Sequence, residues 1–189
     1  AETIDYFPYE GSDNAIGIPV ANMWTLVPFD LPHEMWEDKP VASETFEHRF
    51  AEPVINLHRI ADGISAHLAD SCVLPVYPGN TPVEGVCCNG LGGPDTNNNG
   101  ACDAGLPVWD QPFWQAVGFS IPIEHFYVYS VIPTELDENK TLLTVRATGN
   151  LNCNAKFSTI ERFGILTQTA PGDCTIQWLE GYNIENLFE

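Results

Sequence analysis

The chain has 189 residues, enough for one ordinary domain and hardly two. Seven Lys plus Arg stand against 26 Asp plus Glu, a formal net charge of −19, so phosphate backbones and anionic lipid are poor partners. A 44% hydrophobic content with 21 aromatics excludes a disordered acidic chain, and 15 Gly with 15 Pro argue against an all-helical bundle.

Residues 1–42 carry Pro8, Pro19, Pro28, Pro32 and Pro40, which forbid a long helix there. Tyr6, Phe7, Tyr9, Trp24, Phe29 and Trp36 are interleaved with them, and aromatics at that density pack against something. We expect an ordered, extended assembly arm that docks on a neighbouring subunit, with Trp24 and Trp36 as anchors.

Residues 43–189 read as a globular domain. Over 43–70, Phe46, Phe50, Leu57, Ile60, Ile64 and Leu68 recur at steps of three, four or seven, the signature of one helical stripe. Ser43 suits the N-cap, with Glu44 and Glu47 in the first turn. Pro53 predicts a kink or a fresh start. Periodicity then stops over 71–108, a loop rich in Gly, Pro and Asn that holds four of the six Cys. Trp109, Phe113, Trp114 and Phe119 form an aromatic cluster with two uses: core packing or a sugar platform. Over 121–180 the pattern turns to strands, at Phe126–Val131, Leu142–Ala147, Phe157–Leu166 and Thr175–Leu179. The expected fold class is α+β, with a kinked helix on a four-stranded antiparallel sheet.

The cysteines are Cys72, Cys87, Cys88, Cys102, Cys153 and Cys174. The even number, without a Cys-x-x-Cys pair, reads as a disulfide framework and so a secreted or cell-surface protein. Six cysteines permit 15 pairings. Loop lengths favour Cys153 with Cys174, and pairs among the other four inside 72–102. No haem-attachment, Gly-x-Ser-x-Gly or phosphate-loop motif occurs, so neither haem nor nucleotide is expected, and no apolar run reaches the roughly 18 residues of a membrane helix.

One motif points to a cation. Asp95, Asn97, Asn99 and Asp103 place oxygens at positions one, three, five and nine of a calcium loop, Gly100 stands at six, and Ala101 supplies a main-chain oxygen at seven. Position twelve is Leu106, so Asp110 or a distant carboxylate must complete the site. The alternative is an Asn/Gly turn held by Asx hydrogen bonds alone. A fainter loop comprises Asn150, Asn152, Asn154, Ser158 and Glu161, with Ala155 in place of Gly. The five His lack metal-ligand spacing.

The order of features resembles a known family. Glu52–Leu68, with Asn56-Leu57-His58-Arg59-Ile60-Ala61-Asp62-Gly63, resembles the post-membrane part of the spine helix of type IV pilins and pseudopilins. The Cys-rich loop, then Trp109-Asp110-Gln111-Pro112-Phe113-Trp114-Gln115-Ala116-Val117-Gly118-Phe119-Ser120, then His125-Phe126-Tyr127-Val128-Tyr129, is similar to globular domains of deltaproteobacterial pilin-like proteins. Ala147-Thr148-Gly149-Asn150-Leu151-Asn152-Cys153-Asn154, followed by Phe157-Ser158-Thr159-Ile160-Glu161-Arg162, looks like their Ala-x-Gly-Asp-Leu-Asp-x-Asp-Gly segment. The similarity covers about residues 47–185. It implies a bacterial structural subunit of a cell-surface filament, not an enzyme, assembling with copies of itself or another pilin-like subunit.

Two departures stand out. Residues 1–39 are unlike the family's apolar N-terminal helix, so that helix is replaced, is supplied by a partner, or is absent from a soluble relative. The family's acidic turn residues are here Asn150, Asn152 and Asn154. Two other functions compete with the filament subunit: a secreted calcium-dependent binding module or adhesin centred on Asp95–Asp103, and a secreted hydrolase using paired carboxylates.

Overall fold

The computed structural model describes residues 40–77, 79–154, 156–170 and 172–186, with the backbone alone for 40–50. The proposed arm residues Tyr6, Phe7, Tyr9, Trp24, Phe29 and Trp36 lie outside the described residues, as do the side chains of Phe46 and Phe50.

Helix α1 (Pro40–Ser71) runs unbroken through Pro53 for 32 residues, without the expected fresh start. It begins at Pro40 rather than at a Ser43 cap, and its first turn holds no acidic residue. Proline has its φ preset for a helix and lacks only an N–H that the first turn leaves unpaired anyway. The predicted stripe is buried: Leu57, Ile60, Ile64 and Leu68 are at most 4% exposed, joined by Val54 and Ala61. Each buried Leu or Ile contributes roughly 1.5–3 kcal/mol of transfer free energy. The helix ends where Cys72 adopts the left-handed conformation at φ 51° and its N–H still reaches the Leu68 carbonyl.

Strands β1 (Tyr127–Asp137), β2 (Lys140–Gly149), β3 (Ser158–Ala170) and β4 (Asp173–Trp178) form an antiparallel meander in chain order. A fifth strand, β5 (Asn183–Glu185), pairs with β3 at Thr159–Glu161, while β4 pairs with its other half, Gly164–Ala170. The sheet therefore has five strands, not four. β5 is three residues long, too short to show alternation, and its place is set by Ile184 packing on the core. Residues 121–126, expected to open the strand region, precede β1. Pro133 lies in β1, an edge strand for most of its length, where a missing N–H costs no ladder bond.

One face of the sheet receives α1. Tyr129, Ala147 and Ile160 are paired across three strands, as are Val131, Val145 and Arg162, and all but Arg162 are core residues. Arg162 stands between His58, which its guanidinium contacts, and the Trp178 ring 5.4 Å from its centre. Burial, with the Arg162 charge second, holds the His58 ring below its usual pKa. A short helix α2 (Pro112–Ala116), with Pro112 at its first position, closes the end of the core. Trp109, Phe113, Trp114 and Phe119 are at most 3% exposed and meet edge-on or tilted, Trp109 to Trp114 at 5.3 Å. Being buried, they offer no surface to a sugar.

Gly63 on α1 lies against Val117, the residue that follows α2, and a Cβ there would overlap the main-chain carbonyl of Val117. In an exposed helix, Gly→Ala stabilises by about 1 kcal/mol. Here the sign reverses: Gly63→Ala should destabilise by about 1–3 kcal/mol in urea unfolding, because backbone must move. A more stable variant would disprove the close approach.

The disulfides are Cys72–Cys174, Cys87–Cys102 and Cys88–Cys153. Of the pairs expected inside 72–102, Cys87–Cys102 forms. The expected Cys153–Cys174 pair does not. Those residues flank opposite ends of β3, whose 13 residues span roughly 40 Å, far beyond the ~7 Å Cα limit of a disulfide. Cys174 instead meets the end of α1, and Cys153 meets the loop. Three disulfides suit an oxidising compartment. Among the described residues, no helix is long and apolar enough to cross a membrane.

Candidate functional site

The oxygen-rich loop Asp95–Asp103 is closed by its own side chains. Asp95, 2% exposed, accepts the Asn99 N–H at 3.0 Å with one carboxylate oxygen and the Gly100 N–H at 2.8 Å with the other. Asn97 Oδ1 accepts from the Asn99 N–H, and Asn99 Oδ1 from the Ala101 N–H. Asp103 accepts the Thr96 N–H with both oxygens at 3.2 Å. Asn98 and Gly100 take positive φ, which lets the chain turn this tightly.

A residue with no sequence signal completes the cluster. Glu124 accepts from Asn97 Nδ2 and Asn99 Nδ2, each at 2.9 Å, one on each carboxylate oxygen. The reason is topological: Cys102 and His125 form an isolated antiparallel bridge, with the Cys102 N–H donating to the His125 carbonyl at 2.7 Å. That bridge lays Glu124 over the loop.

The donor set fits a hard cation in type: three carboxylates, two amides and main-chain carbonyls, all oxygen. A carboxylate oxygen that accepts one N–H keeps a further lone pair. The set is drawn together by hydrogen bonds, and the three carboxylates do not form a tight trio. Among the described residues, the one such trio with ligand atoms within 4.8 Å of one another is Cys87, Cys102 and His125. Its two sulfurs are joined in a disulfide.

The fainter loop is not assembled into a site. Asn150 and Asn152 each accept the Asn154 N–H at 3.1 Å, and Asn154 accepts the Lys156 N–H. Ser158 and Glu161 stand on β3, where side chains three apart point to opposite faces. Glu161 is also engaged by Arg146 at 2.6 Å and Asn183 Nδ2 at 2.9 Å.

A buried carboxylate joins helix to sheet. Glu52 on α1 accepts the Phe126 N–H at 2.8 Å, the Tyr127 N–H at 3.3 Å and the Tyr129 hydroxyl at 2.8 Å. Asn56 Nδ2 donates to the same hydroxyl at 2.9 Å. Burial pushes the Glu52 carboxyl up to about 7, against the lowering effect of its three donors. Nearby, burial pushes the fully enclosed His125 down to about 4.

No protein-family model, curated protein or solved structure matches the chain.

Proposed function

We propose that this chain is a structural subunit of an extracellular, bacterial type IV pilus-like filament, acting by subunit–subunit assembly rather than catalysis. The observation that carries the reading is the order of parts: a long helix, a disulfide-pinned loop, then an antiparallel meander packed on one helix face. The pilin resemblance of Glu52–Leu68 implies that order. The Cys72–Cys174 bridge adds a covalent tie between the helix end and the sheet, which suits a subunit under tension. Its partners are other copies or another pilin-like subunit. Electron microscopy of sheared surface filaments, labelled with an antibody to this chain, tests the reading. Label along the shaft is expected; soluble protein with no filament label overturns it.

The Glu124 contacts favour a second reading, a secreted calcium-dependent binding module. The oxygens of Asp95, Asn97, Asn99, Asp103, Glu124 and the Ala101 carbonyl would hold the ion, whose chemistry there is electrostatic bracing of the loop. At calcium one hundred times its Kd, binding adds about 2.7 kcal/mol, a rise in Tm of roughly 5–10 °C for a chain of this size. Calorimetry of the monomer with calcium against chelator should show that rise, and Glu124→Gln should remove most of it. Equal Tm values with calcium and chelator would end the calcium reading.

A further inference from the structure

Asn139-Lys140-Thr141 is the one Asn-x-Ser/Thr triplet in the chain, and its middle residue is not proline. Such a triplet is an acceptor for N-linked sugar where it lies on the surface of an exported protein. The structure places it at the tip of the β1–β2 hairpin. Asp137 pairs with Lys140, so Glu138 and Asn139 form the turn. Every residue from Pro133 to Lys140 is exposed.

The turn holds the Asn139 backbone and leaves its side chain free. Its N–H donates to Asp137 Oδ1 at 2.9 Å, and its carbonyl accepts the Gln168 N–H at 2.9 Å. Its side-chain amide makes no hydrogen bond among the described residues. Of the described asparagines only Asn80 shares that state, and Asn80 has Pro82 where an acceptor needs Ser or Thr. Asparagines elsewhere are engaged: Asn56 bonds Tyr129, Asn183 bonds Glu161, and Asn97 and Asn99 bond Glu124. The triplet and the unengaged amide therefore coincide at one exposed turn. Asp137, two residues before the acceptor, adds an acidic side chain for a transferase to read.

We propose that Asn139 is an N-glycosylation acceptor, taking an oligosaccharide from a lipid pyrophosphate-linked donor. Asn139 Nδ2 forms a bond to the anomeric carbon, the bond from that carbon to the pyrophosphate oxygen breaks, and one amide proton is released. No electron acceptor is needed. Thr141 is a positioning residue, whose hydroxyl the transferase reads together with the amide. In the folded protein Thr141 sits in the ladder opposite Glu135 and Leu166, so transfer precedes closing of the hairpin on the exported chain. Once the sheet forms, the glycan stands on an exposed turn and displaces no described group. The assignment rests on the export that three disulfides suit, not on the filament reading.

The test is mass spectrometry of the full chain purified from its source cells. Its mass should exceed that of the sequence by a glycan, and the peptide containing Asn139 should carry the sugar on that residue. Expressed in the same cells, Asn139→Gln and Thr141→Val should each lack the added mass, whereas Thr141→Ser should keep it. Asn139 is exposed, so Asn139→Gln should fold, which far-ultraviolet circular dichroism checks. A wholly unmodified Asn139 peptide from the native protein overturns the proposal. So does an added mass that survives Asn139→Gln or Thr141→Val, because the sugar then lies elsewhere. Loss in Thr141→Ser as complete as in Thr141→Val overturns it too, since the hydroxyl would not be what is read. If the variants are not exported, fragmentation of the native peptide decides alone: sugar on Asn139 supports the proposal, and sugar on Lys140 or Thr141 overturns it.

Discussion

Replacing Cys72 and Cys174 together by Ala should lower the unfolding free energy by about 4 kcal/mol. The two residues are 102 apart in sequence, but the shortest closed path runs through Cys88–Cys153 and holds roughly 40 residues. Closing a loop of that size in the unfolded chain removes entropy worth about that much. The loss should be local as well as global. Cys72 holds the left-handed turn that ends α1, so amides of the last helical turns should exchange faster than those near Leu57. Urea unfolding of the variant and parent chain measures the first effect. A change below about 1 kcal/mol would mean that the bridge adds little once the other two have formed.

Glu52→Gln should gain stability relative to the parent chain as pH rises, by about 3 kcal/mol between pH 4 and pH 8. The folded carboxyl titrates near 7 and the unfolded one near 4.5. Glu52 therefore contributes stability that is fully present below pH 4.5 and lost as pH rises through about 7. His125 opposes it. With its folded pKa depressed to about 4, it costs stability as pH falls below 6.5. His58, also held below its usual pKa by burial, acts in the same direction as His125, so between pH 4.5 and 6.5 the falling contribution of Glu52 is set against two rising ones. The glutamine retains an acceptor for the Tyr127 N–H and the Tyr129 hydroxyl, while its amide nitrogen faces the Phe126 N–H. That clash is a constant offset, so the slope of the difference, not its value at one pH, reports the titration. A difference independent of pH would place the Glu52 carboxyl in water.

Much of the fold was legible because it is written in local periodicity. The stripe from Leu57 to Leu68 buries as its spacing requires, and the expected strand segments Phe126–Val131, Leu142–Ala147, Phe157–Leu166 and Thr175–Leu179 lie in strands except for their end residues Phe126, Phe157 and Leu179. The loop Asp95–Asp103 was visible for the same reason: its Asx residues bond to main-chain groups two to five residues on. Side-chain chemistry at short range is enough to find such features.

The misread features share a different cause. Pro53 was expected to interrupt α1, yet the helix continues through it to bury Val54 and Leu57 beyond. β5 has too few residues for alternation and is placed by what it packs against. Cys153–Cys174 was favoured for its short loop, but strand geometry between the two keeps them at opposite ends of β3.

By itself, the sequence determined the helix stripe, most of the strands, the oxygen-rich loop and an oxidisable set of six cysteines, because each is a pattern within one turn, strand or spacing. Only the tertiary structure decided which cysteines meet, that Glu124 bonds to the loop, that Glu52 clasps the sheet and that Gly63 must stay small. Each of these depends on groups distant in sequence, brought together when the helix packs on the sheet and the Cys102–His125 bridge closes.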